Sequence, residues 1–157
     1  MPGIRIAEPG EAASLTALCV RSKAHWGYDA EFMRLSTAAL TVESKDIVAG
    51  RVLIAVDGNG QPLATASVLG EGETVELDQM FVDPSAMRQG LGRVMFMSAV
   101  RLARELGARR MTILADPNAA PFYERMGARF VKHAPSDAIP GRTLPFYEYD
   151  LAEEGAS

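Results

Sequence analysis

The sequence predicts a single domain of the mixed α/β class, in which helices are layered on one sheet. A chain of 157 residues with 48% hydrophobic residues can bury one sizeable core and leaves little room for a second. Strand-like and helix-like patterns alternate along the whole chain, without a repeat, a low-complexity tract or an interdomain linker. We therefore expect one domain over residues 1–151 and a flexible tail over residues 152–157.

The first third of the chain predicts a strand followed by two helices. Ile4 and Ile6 alternate with polar neighbours ahead of the Pro-Gly pair at 9–10, a pattern typical of a strand that ends in a turn. Apolar residues then recur at helical spacing in two stretches, which an aromatic segment separates. The two helices are expected at 11–23 and 30–35.

Two β-rich runs, Arg51–Asp57 and Pro62–Leu69, come next along the chain. They flank Asp57-Gly58-Asn59-Gly60, whose residues accept a positive φ and so favour a tight turn. This pattern predicts a β-hairpin.

The second half of the chain is organised around a strand–helix–strand passage. A strand is expected at Thr74–Val82, a long apolar helix at Leu91–Leu106 that ends at Gly107, and a strand at Met111–Ala115. A connection of this length implies a crossover that leaves the two strands parallel. The remaining elements are expected to be a helix at 119–126 and strands at 128–133 and 146–151.

A glycine loop, Arg88-Gln89-Gly90-Leu91-Gly92-Arg93, lies where the strand gives way to the long helix. The first N–H groups of a helix lack partners within it and lie at the positive end of its dipole. Glycine at positions 90 and 92 removes Cβ atoms that would keep a phosphate away, while Arg88 and Arg93 supply positive charge. The loop therefore indicates an anion site suited to a diphosphate.

Other interpretations of this loop fit less well. A P-loop needs Gly-Lys followed by Ser or Thr, where this chain has Gly92-Arg93-Val94. A Rossmann fingerprint needs a small residue where Met95 stands. A glycine pair that only turns the chain is the remaining alternative, and the context of the loop decides against it.

That context resembles the GCN5-related N-acetyltransferase (GNAT) family. The first block is Met80-Phe81-Val82-Asp83-Pro84 with the glycine loop, and the second is Asp116-Pro117-Asn118-Ala119-Ala120-Pro121-Phe122-Tyr123-Glu124-Arg125-Met126-Gly127. Together they cover about residues 74–130, and the order of elements from Ile4 to Leu151 is also similar to that of the family. One departure is Met87, because the family usually has Arg or Gln three residues before the first glycine; Arg88 is the residue that could compensate.

The resemblance implies a mixed, largely antiparallel twisted sheet of about six or seven strands, flanked by about four helices. Its central parallel pair would splay apart beside Met80, Phe81 and Val82, where the pantetheine arm of acetyl-CoA would pair with free backbone groups. The other expected cofactor-binding residues are Met87, Arg88, Gln89, Gly90, Leu91, Gly92 and Arg93 at the pyrophosphate, and Asn118, Phe122 and Tyr123 on the opposite wall.

Acetyl transfer to an amine needs a proton for the departing thiolate and a base for the incoming ammonium. The resemblance puts Tyr123 beside the sulfur, and a phenol is protonated at neutral pH. Glu76 and Asp78 alternate on one face of their strand, so that each can raise the pKa of the other and take up protons through water. A solvated strand face is the equal alternative for this carboxylate pair.

The acceptor is expected to bind at the break between the first two helices, where polar and aromatic groups gather. His25, Trp26 and Tyr28 are the candidate contacts, because loops of this kind carry specificity. A histidine that packs or caps locally is the alternative for His25.

The net charge and the single cysteine limit the classes of partner and of binding site that we expect. A net charge of −4 and a pI near 5.2 give no broad basic surface for nucleic acid or anionic membrane. Cys19 is the single cysteine and lies on the apolar face of the first predicted helix, so we expect it in the core, and the histidines match no metal-site spacing. Without a signal peptide or a long apolar run, we expect a cytoplasmic protein that binds no metal, and a homodimer as the commonest assembly.

The sequence thus favours an acetyl-CoA-dependent N-acetyltransferase that acts on a small primary amine in a ternary complex. Three alternatives stay open. The chain could be a non-catalytic acyl-CoA-binding regulatory module, it could act on a protein or peptide amine, or it could carry an acyl group longer than acetyl.

Overall fold

The computed structural model describes residues 3–152, and a single seven-stranded sheet runs through them. Residues 153–157, most of the predicted tail, lie outside the described part. The strands are β1 (Gly3–Ile6), β2 (Val52–Val56), β3 (Pro62–Leu69), β4 (Thr74–Val82), β5 (Arg110–Leu114), β6 (Arg129–Pro135) and β7 (Thr143–Asp150).

The strands lie in the order β1-β2-β3-β4-β5-β7-β6. Neighbouring strands are antiparallel except for β4 and β5, which are parallel. The predicted fold class is therefore confirmed, including the parallel pair in the middle of the sheet. The predicted β-hairpin is β2 and β3.

Helices connect the strands and cover both faces of the sheet. Over residues 3–152 they are α1 (Ala12–Ala24), α2 (Ala30–Leu35), α3 (Thr37–Leu40), α4 (Ser44–Val48), α5 (Leu91–Glu105) and α6 (Ala120–Arg125), with a 3-10 helix at Pro84–Ala86. The four predicted helices correspond to α1, α2, α5 and α6 within one residue at each end. The short α3 and α4 fall in residues 36–50, for which the periodicity predicts no element.

Helix α5 builds the core on one face of the sheet. Its buried side chains, which include Met95, Phe96 and Val100, recur on one stripe and pack over β3. The facing residues of β3 include Ala64 and Ala66, whose small side chains leave room for the helix. This packing fixes the start of α5, and with it the glycine loop.

Helices α1 to α4 cover the opposite face around a second cluster that includes Leu15, Cys19 and Ile54. The buried side chain of Gln79 on β4 also lies on this side, because its Nε2 donates to the carbonyls of Ala39 at 2.9 Å and Thr41 at 3.0 Å. These two hydrogen bonds satisfy carbonyls at the end of α3 and connect that helix to β4.

Two irregularities in β4 shape the site. Parallel pairing with β5 stops after Glu76 and Thr112, so the rest of β4 has no partner on that side. The register with β3 also shifts between Ser67 and Val68, which leaves Asp78 as an extra residue without a partner. The sheet therefore opens between β4 and β5, as the resemblance implies.

Candidate active site

The opening between β4 and β5 is a cavity of about 1090 Å³. It brings together most of the predicted cofactor, catalytic and acceptor residues. Those that line it are His25, Trp26, Glu76, Asp78, Met80, Phe81, Val82, Met87, Arg88, Gly92, Asn118, Phe122 and Tyr123. Tyr28, Gln89, Gly90, Leu91 and Arg93 do not line it.

The glycine loop at one end of the cavity carries a run of free backbone donors. No hydrogen bond to a residue of the described part is formed by the amides from Arg88 to Arg93, and the first bond of the helix runs from Val94 N–H to Gly90 at 3.3 Å. Gly90 has a φ of 78°, and Arg88 is the one non-glycine residue within 3–152 with a positive φ, at 65°. Two left-handed residues so close together curve the chain, and unpaired amides on a tightly curved backbone can bind an anion.

Charge and close packing support the same interpretation of the loop. The guanidinium groups of Arg88 and Arg93 are exposed, and neither pairs with a carboxylate of residues 3–152. A Cβ on Gly92 would lie 3.4 Å from Cε1 of Phe122, so the glycine also lets the start of α5 approach α6. The side chain of Leu91 is buried and that of Gln89 bonds weakly to Ser85 O at 3.4 Å, so these two contribute backbone amides only.

Tyr123 lies on the wall that α6 contributes. Its ring packs against Phe96, Phe122 and Tyr147, and only 6% of the residue is exposed. Its hydroxyl forms no hydrogen bond with another residue of the described part and is not fully enclosed by protein atoms, so it is open to the cavity. Burial, and to a lesser extent Asp116, raise the pKa of this phenol, which keeps it protonated and able to donate.

Glu76 and Asp78 lie on the β4 wall of the same cavity, on the side of α4. Burial by the surrounding protein raises the pKa of Glu76 most, followed by the charges of Asp78 and Asp137. Burial, then Asp46 and Asp137, raise the pKa of Asp78 in the same way. These carboxylates therefore hold protons more readily than ordinary ones, which suits a general base near neutral pH.

Five polar side chains from three parts of the chain meet at the cavity wall, and all but Tyr28 line the cavity. We call them the Tyr28 cluster: Lys23, Tyr28, Asp116, Asn118 and Arg142. Lys23 Nζ donates to Asp116 Oδ2 at 2.6 Å, and the Tyr28 hydroxyl donates to the same oxygen at 2.8 Å. The Tyr28 oxygen in turn accepts from Asn118 Nδ2 and from Arg142 Nη2, each at 3.1 Å. Burial alone would raise the pKa of Asp116, but the bonds from Lys23 and the Asn118 amide outweigh it and lower that pKa.

Aromatic stacking reinforces the cluster. The rings of Tyr28 and Phe32 are parallel with centroids 3.9 Å apart. Lys23 Nζ lies 5.2 Å and the Arg142 guanidinium carbon 5.3 Å from the centre of the Tyr28 ring. The cluster therefore fixes the α1–α2 junction to the segment after β5 and to the β6–β7 connection, so Tyr28 holds the wall together from behind rather than facing the cavity.

A comparison with protein families decides what kind of site this is. The model of the acetyltransferase (GNAT) family matches residues 19–128, about two thirds of the chain. The chain belongs to the GNAT acetyltransferase family. This membership confirms the resemblance and the predicted enzyme class, an acyltransferase.

Solved structures agree with this GNAT fold. The PaiA N-acetyltransferase of Thermoplasma acidophilum, in complex with coenzyme A, superposes with a TM-score of 0.78 at 13% identity, over 96% of this chain and 99% of that one. YncA of Salmonella typhimurium, a putative acetyltransferase with its cofactor acetyl-CoA, has a TM-score of 0.70 at 22% identity, over 98% and 96%. A GCN5-related N-acetyltransferase of Rhodopseudomonas palustris has 0.74 at 23%, over 96% of each chain.

Several residues of the GNAT site carried no role in the sequence analysis. Asp137 and Arg142 fall in a Pro/Gly-rich connection, and Lys23 and Asp46 lie on helices, so each looks like an ordinary surface charge. Their partners are distant in sequence, as with Arg142 and Tyr28, which are 114 residues apart. Asp116 differs from these residues, because it is the first residue of the second block that resembles the family and could have been singled out as a site residue for that reason.

Other expectations concern partners and location. Over residues 3–152 no group of three or more His, Cys, Asp or Glu side chains is arranged to hold a metal ion. Nor does that part of the chain contain a helix long and apolar enough to cross a bilayer. Cys19 is buried in the core, and burial raises the pKa of its thiol to about 12. The homodimer and the cytoplasmic location stay predictions.

Proposed function

We propose that this GNAT enzyme transfers the acetyl group of acetyl-CoA directly to a primary amine, with both substrates bound together. The observation that carries the proposal is one continuous cavity, which runs from Arg88 and Gly92 past the unpartnered Tyr123 hydroxyl to Glu76. The free amides of the glycine loop fit a pyrophosphate, and the unpaired edge of β4 fits an amide-bearing arm. When bound, acetyl-CoA supplies the activated thioester.

The chain's own residues supply the proton transfers. Glu76 receives, through water, the proton that the ammonium must lose before its nitrogen can bond to the acetyl carbonyl carbon. Tyr123 donates a proton to the sulfur as the carbon–sulfur bond breaks, and then recovers one from solvent. The raised pKa of Tyr123 keeps its phenol protonated near neutral pH, and the raised pKa of Glu76 makes its carboxylate a stronger base than an ordinary one.

The decisive experiment follows free thiol release from acetyl-CoA with a panel of primary amines, for the wild-type enzyme, Tyr123→Phe and Glu76→Gln. Each substitution should lower kcat by roughly 100-fold, the lower end of what general acid–base catalysis contributes. Tyr147→Phe is the matched control, because its hydroxyl is bonded to Glu124 at 2.6 Å and it does not line the cavity. That variant should keep its kcat.

Each alternative has its own signature in this experiment. Binding of acetyl-CoA without turnover of any amine would indicate a regulatory acyl-CoA-binding module. Turnover of peptide amines alone would indicate a protein substrate, and faster turnover of longer acyl-CoA thioesters would change the donor. If neither Tyr123→Phe nor Glu76→Gln alters the rate, the proton-transfer roles are wrong.

A further inference from the structure

Gln79 on β4 has a side chain that is held in one orientation at the wall of the cavity. The residue lines the cavity although only 6% of it is exposed. Its Nε2 donates to the carbonyls of Ala39 at 2.9 Å and Thr41 at 3.0 Å. A carbonyl can only accept, so both protons of the amide nitrogen are used on this side. The amide oxygen, Oε1, is thereby fixed on the other side.

This fixed oxygen has no partner of its own. Oε1 of Gln79 forms no hydrogen bond with a residue of the part of the chain that the structure describes. In that part, the buried side-chain atom that is both fully enclosed and unpartnered is the hydroxyl of Ser67, so Oε1 is not enclosed and opens to the cavity. An open acceptor on an otherwise buried and satisfied side chain indicates a ligand group that donates to it.

A β-bulge brings Gln79 to the same face of the sheet as Glu76. Val75 and Leu77 belong to the core beneath α5, so Glu76 between them points to the opposite face. In a regular strand, a residue three positions later would point to the α5 side. Asp78 is the extra residue at the register shift and reverses this alternation, which lets Gln79 reach α3.

The position of Gln79 along β4 places it between the two reactants of the proposed transfer. Glu76, the proposed base, precedes it, and Met80, where the edge expected to pair with the pantetheine arm begins, follows it directly. All three line the cavity, as does Tyr123 from α6. A nitrogen that gives its proton to Glu76 and attacks a thioester near Tyr123 therefore passes beside Gln79.

The three protons of a primary ammonium have different fates in acetyl transfer. Glu76 takes up the first through water before the attack and releases it to solvent. The second leaves by the same route after the carbon–nitrogen bond has formed, while the sulfur departs as a thiol with the proton of Tyr123. The third proton stays on the nitrogen of the amide product. A carboxamide oxygen suits this third proton, because it accepts a hydrogen bond without removing the proton at neutral pH.

We infer that Gln79 orients the acceptor, because its Oε1 accepts a hydrogen bond from the amine N–H that remains in the product, and that it thereby selects primary over secondary amines. This role rests on the proposed function and adds to it a residue that contacts the reacting nitrogen. With one N–H held at Gln79 and another directed towards Glu76, the lone pair of the nitrogen is left to face the thioester carbon. A secondary amine gives up both protons of its ammonium form and keeps none for Gln79.

The test compares the best primary amine of the panel with its N-methyl derivative at saturating acetyl-CoA. In the wild-type enzyme, kcat/KM should be higher for the primary amine by a factor on the order of 100. Gln79→Met removes the whole amide at similar length, whereas Gln79→Lys keeps donors for the carbonyls of Ala39 and Thr41 but has no acceptor. In both variants the ratio of the two kcat/KM values should fall about tenfold, through a loss on the primary amine.

The two variants separate the oxygen from the tether to α3. The added charge of Gln79→Lys repels both cationic amines alike and cancels in the ratio. If Gln79→Met fails to fold, Gln79→Lys carries the test, since it can still hold α3. A ratio that is unchanged in the folded variants, or a wild-type enzyme that turns over both amines equally well, would overturn the inference.

Two matched controls test whether general loosening explains the result. Ser67→Ala removes the unpartnered hydroxyl that lies opposite Gln79 on β3, and Ile47→Val weakens the packing of α4 in the second cluster. Neither residue lines the cavity. Both controls should keep the wild-type ratio, and a fall as large as that of Gln79→Lys in either would also contradict the role of Gln79.

Failure of this role can be distinguished from failure of the proposed function. Calorimetric titration with coenzyme A and the release of thiol report the proposed function. If coenzyme A binds and a primary amine is turned over, but the ratio does not depend on Gln79, the role of Gln79 is wrong while the acetyltransferase assignment stands. If coenzyme A does not bind and no amine is turned over, the proposed function itself fails.

Discussion

Lys23 Nζ lies 2.6 Å from Asp116 Oδ2, although the two residues are 93 positions apart in the sequence. The pair is largely buried, with 15% of each side chain exposed. It joins the end of α1 to the segment between β5 and α6, and both residues line the cavity. The integrity of the cavity wall therefore depends on an ion pair that takes no direct part in the proposed chemistry.

Removing the cation of this pair should make stability depend differently on pH. Lys23→Met leaves the largely buried Asp116 without its main partner and should lower the free energy of unfolding by roughly 2 kcal/mol at neutral pH. The folded-state pKa of Asp116 is lowered, so its contribution is present above the unfolded-state pKa and is lost as the pH falls through the folded-state pKa. Urea unfolding of both proteins from neutral to acidic pH should show the difference shrinking with acidity. An equal difference at every pH would contradict the assignment.

The hydroxyl of Tyr28 should matter for acceptor binding without touching the acceptor. Tyr28→Phe keeps the stacking on Phe32 but removes the oxygen that bridges Asp116, Asn118 and Arg142. We expect a loss of about 1–2 kcal/mol in unfolding free energy and a rise in KM for the amine, with kcat much less affected, because the wall loosens while Tyr123 and Glu76 remain. Tyr149→Phe is the control, since no hydrogen bond of its hydroxyl is found within residues 3–152. A fall confined to kcat would argue for a catalytic role instead.

Protonation of Glu76 should set the acidic limb of the pH–rate profile. Its pKa is raised by burial and by Asp78 and Asp137, and a base acts only when deprotonated. With saturating amine, kcat should therefore fall as the pH drops through a value above the ordinary glutamate range. In Glu76→Gln this limb should vanish, and in Asp137→Asn it should move to lower pH. A limb that stays in place in both variants would show that another group controls it.

Gly90 should be needed for cofactor affinity as well as for stability. Its φ of 78° costs an alanine roughly 1–2 kcal/mol, although no atom lies within 4 Å of the added Cβ. Gly60→Ala, at a φ of 79° in the hairpin turn, should cost about as much stability. Calorimetric titration with coenzyme A should show weaker binding for Gly90→Ala alone. Equal affinity in the two variants would remove the glycine loop from the cofactor site.

Much of this fold could be predicted from the sequence because its main elements carry strong local signals. The apolar stripe of α5 and the turn residues between β2 and β3 predict this helix and this hairpin from the local sequence alone. Helices α3 and α4, of four and five residues, are too short to show a helical period. Helix α3 is held by Gln79 on the sheet and α4 by the packing of Ile47 in the second cluster, and no local pattern in residues 36–50 predicts these contacts.

The candidate site also has one part that local sequence motifs predict and one part that they do not. The glycine loop and Tyr123 are found in contiguous motifs, so the sequence could predict that they belong together. The Tyr28 cluster is assembled from side chains about 90 to 114 positions apart, and no local pattern could predict it. Tyr28 was expected at the acceptor because aromatic residues often form binding walls; it does not line the cavity, although its hydroxyl bonds to Asp116, Asn118 and Arg142, which do.

The early end of pairing between β4 and β5 also has a thermodynamic consequence. Among the described residues, backbone bonding between β4 and β5 is confined to the short stretch from Glu73 to Glu76, so the two halves of the sheet are joined at one end of these strands only. A ligand bound between the two halves of the sheet stabilises the folded state, because the chain cannot unfold without first releasing it. At a free concentration 100 times its dissociation constant, such a ligand adds about 2.7 kcal/mol to the stability of the folded state. The cell's supply of cosubstrate would then help to determine how long the enzyme survives as well as how fast it works.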